Sequence, residues 1–276
     1  MPELPEVETV KETLKRKLIN KVIEDVNVYY ERIIEFPDVE SFKKMIKNQK
    51  IKDINRRGKW LIFELDDYYL LSHLRMEGKY IYRKVSEPLS KHEHVSFNIG
   101  NDTELRYMDT RKFGKMHLVI KEDLLTRKPI SELGLEPWDK DLNISYLKNK
   151  YKNKKLPIKT VILDQSIIVG IGNIYADEIL FLSKINPYKK ASELSNDQLL
   201  NIIKYTKFVL EKAIKLGGTT IKSYESSEGV HGKFQNELLI HGKQKEECPN
   251  CNDIIIKVKI GGRGTYYCPT CQKDSN

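Results

Sequence analysis

Lys115-Met116-His117-Leu118-Val119-Ile120 is a short apolar, β-branched run, and Asn143-Ile144-Ser145-Tyr146-Leu147 opens a helical pattern shortly after it. Between them, after about Leu124, a strand-like pattern gives way to a period near 3.6. This change of period sets the fold class. Upstream, residues 22–30, 51–56, 59–65, 69–75, 79–83, 94–99, 104–108 and 115–120 read as strands, each bounded by turn residues. A helix at 39–47 interrupts them. Downstream, helices are expected at 143–151, 158–163, 173–182 and 195–216. The last opens on Ser195 with Gln198 three residues on and stops at Gly217. The expectation is an α+β chain: an N-terminal β-sandwich with flanking helices, then a helical region. The boundary falls near 123–138.

The two ends extend this frame. Val7, Val10, Leu14 and Leu18 repeat at helical spacing, with Pro5 in the first turn and Glu6 and Glu8 at the positive end of the dipole. The chain therefore starts held against a core, where a frayed terminus is the usual case. At the other end, strands at 254–260 and 265–268 flank the turn Gly261-Gly262-Arg263-Gly264.

All four cysteines fall in the last thirty residues. Cys248 and Cys251 are separated from Cys268 and Cys271 by sixteen residues. Two C-x-x-C units at this spacing match a four-thiolate zinc site, with two disulfides or a redox pair as the alternative. Four thiolates leave no place for a catalytic water, so one structural Zn2+ is expected. Arg263 at the hairpin tip suits a phosphate, or is a solvated turn residue.

The 276 residues carry a net charge of +9 and a pI near 9.1, with 39% hydrophobic and 32% charged residues. This excludes a disordered chain. The basic excess suits a polyanion or reflects a Lys-rich surface. No apolar run approaches the ~20 residues of a membrane span, and the acidic start is not a secretory signal. A cytoplasmic location is expected, without membrane attachment. Residues 148–159 hold six lysines, Lys154 among them, and no acid. Gly170-Ile171-Gly172-Asn173 follows between two expected helices, where first-turn amides can bind an anion.

Three motifs together resemble one family. Pro2-Glu3-Leu4-Pro5-Glu6-Val7-Glu8-Thr9 looks like the start of formamidopyrimidine-DNA glycosylase, Gly170-Ile171-Gly172-Asn173-Ile174-Tyr175 its helix-two-turn-helix, and the four cysteines with Gly262-Arg263-Gly264 its zinc finger. The resemblance runs the length of the chain in order. It implies a catalytic β-sandwich domain at 1–130, a helix-two-turn-helix domain at 131–240 and a β-hairpin zinc finger at 241–276, with DNA in a cleft. It also implies a monomer acting at the nucleoid on double-stranded DNA containing oxidised purines.

Residue roles follow from the resemblance. Pro2 is the nucleophile, free to act only once Met1 is removed, and its α-amine titrates lower than a lysine. Glu3 is the general acid/base, Lys59 a catalytic phosphate contact, and Arg263 a phosphate contact and candidate acid for the second elimination. Glu6 helps place the N-terminus, or simply serves the helix dipole. Met76, Arg111 and Phe113 fill the void left by a flipped base, although Met76 and Phe113 as isolated residues would more often be core. His92, Lys154 and Asn173 contact DNA, while Glu77, Thr219, Lys222, Ser223 and Tyr224 read the lesion. The family's usual phosphate-touching tyrosine is replaced by His241. Two rival readings are an endonuclease VIII-type glycosylase for oxidised pyrimidines and a non-catalytic zinc DNA-binding protein. Leu4 and the Met/Arg/Phe set disfavour the first; intact Pro2, Glu3 and Lys59 disfavour the second.

Overall fold

A computed structural model describes residues 2–219 and 232–273. The chain divides into two compact units, Met1–Ser131 with Thr219–Gly232, and Glu132–Gly218 with Lys233–Asn276.

The first unit opens with α1 (Leu4–Leu18), β1 (Val22–Ile23), β2 (Asp25–Val28), β3 (Ile34–Phe36), α2 (Val39–Ile46) and β4 (Gln49–Lys50). It continues with β5 (Asp53–Arg57), β6 (Trp60–Glu64), β7 (Tyr68–His73), β8 (Lys79–Lys84), β9 (Glu93–Asn98), β10 (Thr103–Met108) and β11 (Lys115–Ile120). Two sheets form the sandwich, ordered β2-β9-β10-β8 and β3-β11-β7-β6-β5. Alternation decides which side chains turn inward. Phe63, Leu70 and Leu118 from one sheet share a core with Val26, Phe97 and Leu105 from the other, and Phe63 meets Tyr80 edge to face at 5.7 Å. Val7, Val10, Leu14 and Leu18 of α1 join this core, so the N-terminal helix is anchored through its apolar stripe.

The structure departs from the strand expectations in two places. The run 22–30 is not one strand. β1 pairs with β4 and β2 with β9, because the chain changes partner at Glu24, whose amide donates to the Asn98 carbonyl. β3 and β4 were not expected; at three and two residues they are too short to show a period. β3 lies parallel to β11, a pairing that only tertiary structure reveals.

The second unit holds α3 (Ile144–Tyr151), α4 (Ile158–Val161), α5 (Asn173–Leu182), α6 (Asn196–Lys215), β12 (Ile256–Ile260) and β13 (Arg263–Tyr267). Asn143 caps α3 by accepting from the Tyr146 amide at 2.9 Å. Ser195 and Gln198 form the expected capping box on α6. Gly217, at φ 74°, lies just past its end. In α5 every residue from Tyr175 to Phe181 is buried, so this helix is the spine against which α6 and β13 pack. No helix among the described residues is long and apolar enough to cross a membrane.

Candidate active site

The start of α1 is built by reciprocal capping. Glu3 is the N-cap, and its amide donates to Glu6 Oε2 at 2.8 Å while the Glu3 side chain accepts from the Glu6 backbone. Pro5 occupies the first turn, where its missing N–H costs nothing. Pro2, Glu3 and Glu6 are all buried, Glu3 at 2% exposure. Glu6 Oε1 also accepts from the Thr219 amide at 2.8 Å and the Thr219 hydroxyl at 3.0 Å. One carboxylate thus ties the helix start to the first residue of the 219–232 segment. Lys222, Ser223 and Tyr224 lie outside the described residues.

Two ion pairs fix how α1 lies on β5. Glu8 bonds Arg56 Nε at 2.7 Å, and Lys15 bonds Asp53 at 2.5 Å. Seven helical residues and three strand residues each span about 10 Å. The helix therefore runs antiparallel to β5, and its N-terminus points to the β5–β6 turn. That turn is Gly58-Lys59, closed by the Arg57–Trp60 pair, with Gly58 at φ 56°. Lys59 is 6% exposed. Burial, followed by the charges of Arg75 and Lys59, pushes the His73 imidazole well below its ordinary range. His73 is neutral near neutral pH, and its Nδ1 accepts from the Arg75 amide at 2.9 Å.

The remaining candidates of this unit sit on two loops and one strand approach. Met76 and Glu77 are half-buried between β7 and β8. Arg111 and Phe113 are exposed between β10 and β11, with the guanidinium 4.9 Å above the phenyl ring. Thr110 Oγ1 donates to Glu77 Oε2, joining the two loops. His92 is half-buried just before β9.

In the second unit Asn173 is the first residue of α5. Its Nδ2 donates to the Gly264 carbonyl at 2.9 Å, linking the helix start to β13. Gln165 shapes the approach, accepting from the Gly170 amide and donating to the Ile171 carbonyl, both at 2.9 Å. Lys154 pairs with Asp164 at 3.2 Å and keeps 43% of its side chain exposed. Lys159, from the same basic run, is fully buried on Asp177 at 2.6 Å. The finger's turn is Gly261-Gly262, both at positive φ, and Arg263 opens β13 as an exposed residue.

The four cysteine sulfurs lie within 4.8 Å of one another. Two of the separations are 3.8 Å (Cys248–Cys271) and 3.5 Å (Cys251–Cys268). A tetrahedron of thiolates with Zn–S near 2.3 Å has edges of about 3.8 Å. None of the four is in a disulfide. Cys248, Cys251, Cys268 and Cys271 thus fit one structural zinc ion.

Family models match in chain order: the formamidopyrimidine-DNA glycosylase N-terminal domain at 1–116, its H2TH domain at 133–225, and the zinc finger found in FPG and IleRS at 245–273. The chain belongs to the formamidopyrimidine-DNA glycosylase family. It is 47% identical to the formamidopyrimidine-DNA glycosylase of Oceanobacillus iheyensis, over 99% of this chain and 98% of that one. Among solved structures it resembles a Lactococcus lactis FPG variant in complex with a Fapy-dG containing DNA, and L. lactis Fpg in complex with an abasic site containing DNA. Each has a TM-score of 0.92 and 39% identity, over 99% of this chain and 100% of that one.

Against the family pattern, His241 is the departure, and its setting is specific. Its Nδ1 lies 2.6 Å from Asp177 Oδ2, and its ring meets Tyr266 at 4.8 Å. Asp177 is therefore shared by Lys159 and His241. Its neighbour Glu178 accepts from the amides of Leu239, Ile240 and His241 at 2.9–3.0 Å. Burial raises the Glu178 carboxyl above its ordinary range, with those amides opposing. Sequence reasoning missed both acids. The signal was present: Asp177-Glu178 are adjacent charges inside the apolar run Ile174–Leu180 and must be paired when that helix is buried.

Proposed function

We propose that this chain removes oxidised purines, 8-oxoguanine and formamidopyrimidines, from double-stranded DNA and then cleaves the strand at the resulting abasic site. The observation that carries this reading is the buried Pro2-Glu3 start of α1, held by Glu6 and directed toward the Lys59 turn.

Removal of Met1 turns Pro2 from an amide into a secondary amine. Its lone pair attacks C1′ as the bond from C1′ to the base breaks, and the proton lost from the Pro2 nitrogen ends on the departing base. Glu3 protonates the sugar ring oxygen as the ring opens, leaving an iminium between Pro2 and C1′. Loss of a C2′ proton then expels the 3′ phosphate, and a second elimination expels the 5′ phosphate. Water hydrolyses the iminium and frees Pro2. Lys59 and Arg263 contact phosphates, with Arg263 the candidate acid for the second elimination. His92, Lys154 and Asn173 bind the backbone, and Met76, Arg111 and Phe113 occupy the space vacated by the flipped nucleotide. Glu77 and the segment from Thr219, including Lys222, Ser223 and Tyr224, read the base. The zinc ion, when bound, supplies no chemistry beyond holding the hairpin that presents Arg263. The protein acts as a monomer, at the bacterial nucleoid.

Borohydride trapping tests the mechanism. Met-free protein with an 8-oxoguanine duplex should give a covalent adduct, and N-terminal acetylation should abolish it. No adduct, or an adduct that survives acetylation, overturns the role of Pro2. Cleavage of a thymine-glycol duplex alone, with 8-oxoguanine untouched, overturns the purine assignment.

A further inference from the structure

We infer that a buried pair at the end of β10, Tyr107 and Asp109, sets the shape of both loops that carry Met76, Arg111 and Phe113 and so positions them as one wedge. The inference rests on the function proposed above for its DNA side; the geometry stands by itself.

Asp109 is completely buried. Its Oδ1 accepts from the Arg111 amide at 2.9 Å, and its Oδ2 from the amides of Phe113 and Gly114 at 2.9 and 2.8 Å. Three of the five amides that follow it point at one carboxylate. The loop needs such a tie, because Lys112 sits at φ 58°, a left-handed conformation that side chains resist. Asp109 is itself fixed from the neighbouring strand. Its amide donates to the His92 carbonyl at 2.9 Å, and its carbonyl lies 2.8 Å from His94 Nε2.

Tyr107 links this loop to the other one. It is fully buried and stacks edge to face on Tyr80 at 5.3 Å. Its hydroxyl lies against two glycines. A Cβ on Gly78 would fall 2.2 Å from that oxygen, and one on Gly114 would fall 1.8 Å away. Gly78 closes the 74–78 loop through its amide to the Leu74 carbonyl at 2.9 Å. Gly114 is the last residue of the Asp109 nest. Both loops are therefore seated on one phenol, and only glycine fits at either contact. The Thr110–Glu77 hydrogen bond makes a second tie between them.

This arrangement matters because Arg111 and Phe113 have little packing of their own. Phe113 is 48% exposed, and Arg111 lies over it in the open. A side chain driven into a base stack is pushed back with the energy of unstacking. That load passes to the backbone, and the backbone is held by Asp109 and Tyr107. Neither residue touches the reacting atoms; both are positioning residues.

The test uses the full-length, Met-free, zinc-bound protein with Asp109→Asn and Tyr107→Phe. Asparagine keeps the shape of Asp109 but turns an –NH2 toward backbone amides. Single-turnover excision of 8-oxoguanine opposite cytosine is compared with strand cleavage at a preformed abasic site in the same duplex, where there is no base to unstack. Asp109→Asn should slow excision about tenfold, the scale of one charge-assisted hydrogen bond, and abasic cleavage by less than about threefold. Tyr107→Phe should act in the same direction, by about threefold on excision. If Asp109→Asn does not fold, Tyr107→Phe decides. Equal losses on both substrates, or no loss on either, overturn the inference. An inactive wild type would instead count against the proposed function. Fluorescence of 2-aminopurine beside the lesion would then still report whether binding opens the stack and whether the variants lose that opening.

Discussion

His73 and His117 flank the indole of Trp60, with ring centroids at 4.8 and 5.5 Å. Burial, and then the charges of Arg75 and Lys59, depress the His73 pKa; burial also depresses that of His117, with Glu35 opposing. A depressed pKa means that the unfolded chain binds the proton more readily. Stability from these residues is complete above 6.5 and is lost as pH falls below that value toward their folded-state values. Each contributes a slope of at most about 1.4 kcal/mol per pH unit in that window. Urea midpoints should therefore fall between pH 7 and 5, and His73→Phe should flatten the curve. An unchanged curve would show that His73 ionises freely in the fold. The same neutrality limits the positive charge around Lys59 at working pH. Glu6 illustrates what sequence could not reach at this scale. Its dipole role was readable from position alone, whereas its bond to Thr219, 213 residues away, exists only once the chain has folded.

At the scale of elements, periodicity carried most of the reading. The stripe on α1, the capping box on α6 and seven of the eight candidate strand runs were visible because each repeats over enough residues to show a phase; the run 22–30 instead splits into β1 and β2. β3 and β4 were not, since two or three residues have none. The finger turn was expected over four residues and is in fact two, Gly261-Gly262, with Arg263 already in the ladder opposite Ile260. A two-residue turn with both φ values positive needs the conformational freedom of glycine. The two glycines are not equivalent, however. A Cβ on Gly262 meets nothing within 4 Å, whereas one on Gly261 comes 2.5 Å from Thr160 Oγ1. Gly262→Ala should thus cost only the left-handed backbone, about 1–2 kcal/mol. Gly261→Ala should cost more, because the turn must also lift from α4. Thermal unfolding of the two zinc-bound variants checks this order, and equal losses would mean that the turn does not bear on Thr160.

Across the whole molecule, the sandwich and the helical region with its finger were legible from composition and period, and the family from three short motifs. The residues that hold the candidate site in shape were less so. Asp109 gathers amides two to five residues on, but only the folded loop turns them toward it, and the partners of Asp177 and Glu178 lie far away in sequence. Charge was the most ambiguous signal, since a net +9 describes a DNA-binding surface and a Lys-rich one equally well. The structure sorts the basic run into different kinds of lysine. Lys159 is buried and neutralised by Asp177, so it adds nothing to an external field. Lys154 is partly exposed and shares Asp164, whose carboxyl burial would raise but whose bonds to Ser166 and Lys154 lower it. If Lys154 neutralises a phosphate, Lys154→Gln should reduce the slope of log affinity against log salt by about 0.9. It should also weaken binding to all duplexes alike. Loss of the lysine leaves Asp164 negative and repulsive, which could mimic a lost contact. The double substitution Lys154→Gln with Asp164→Asn separates the two effects. The slope should stay reduced if the lysine met DNA, and should return to that of the wild type if Lys154 served only to balance Asp164.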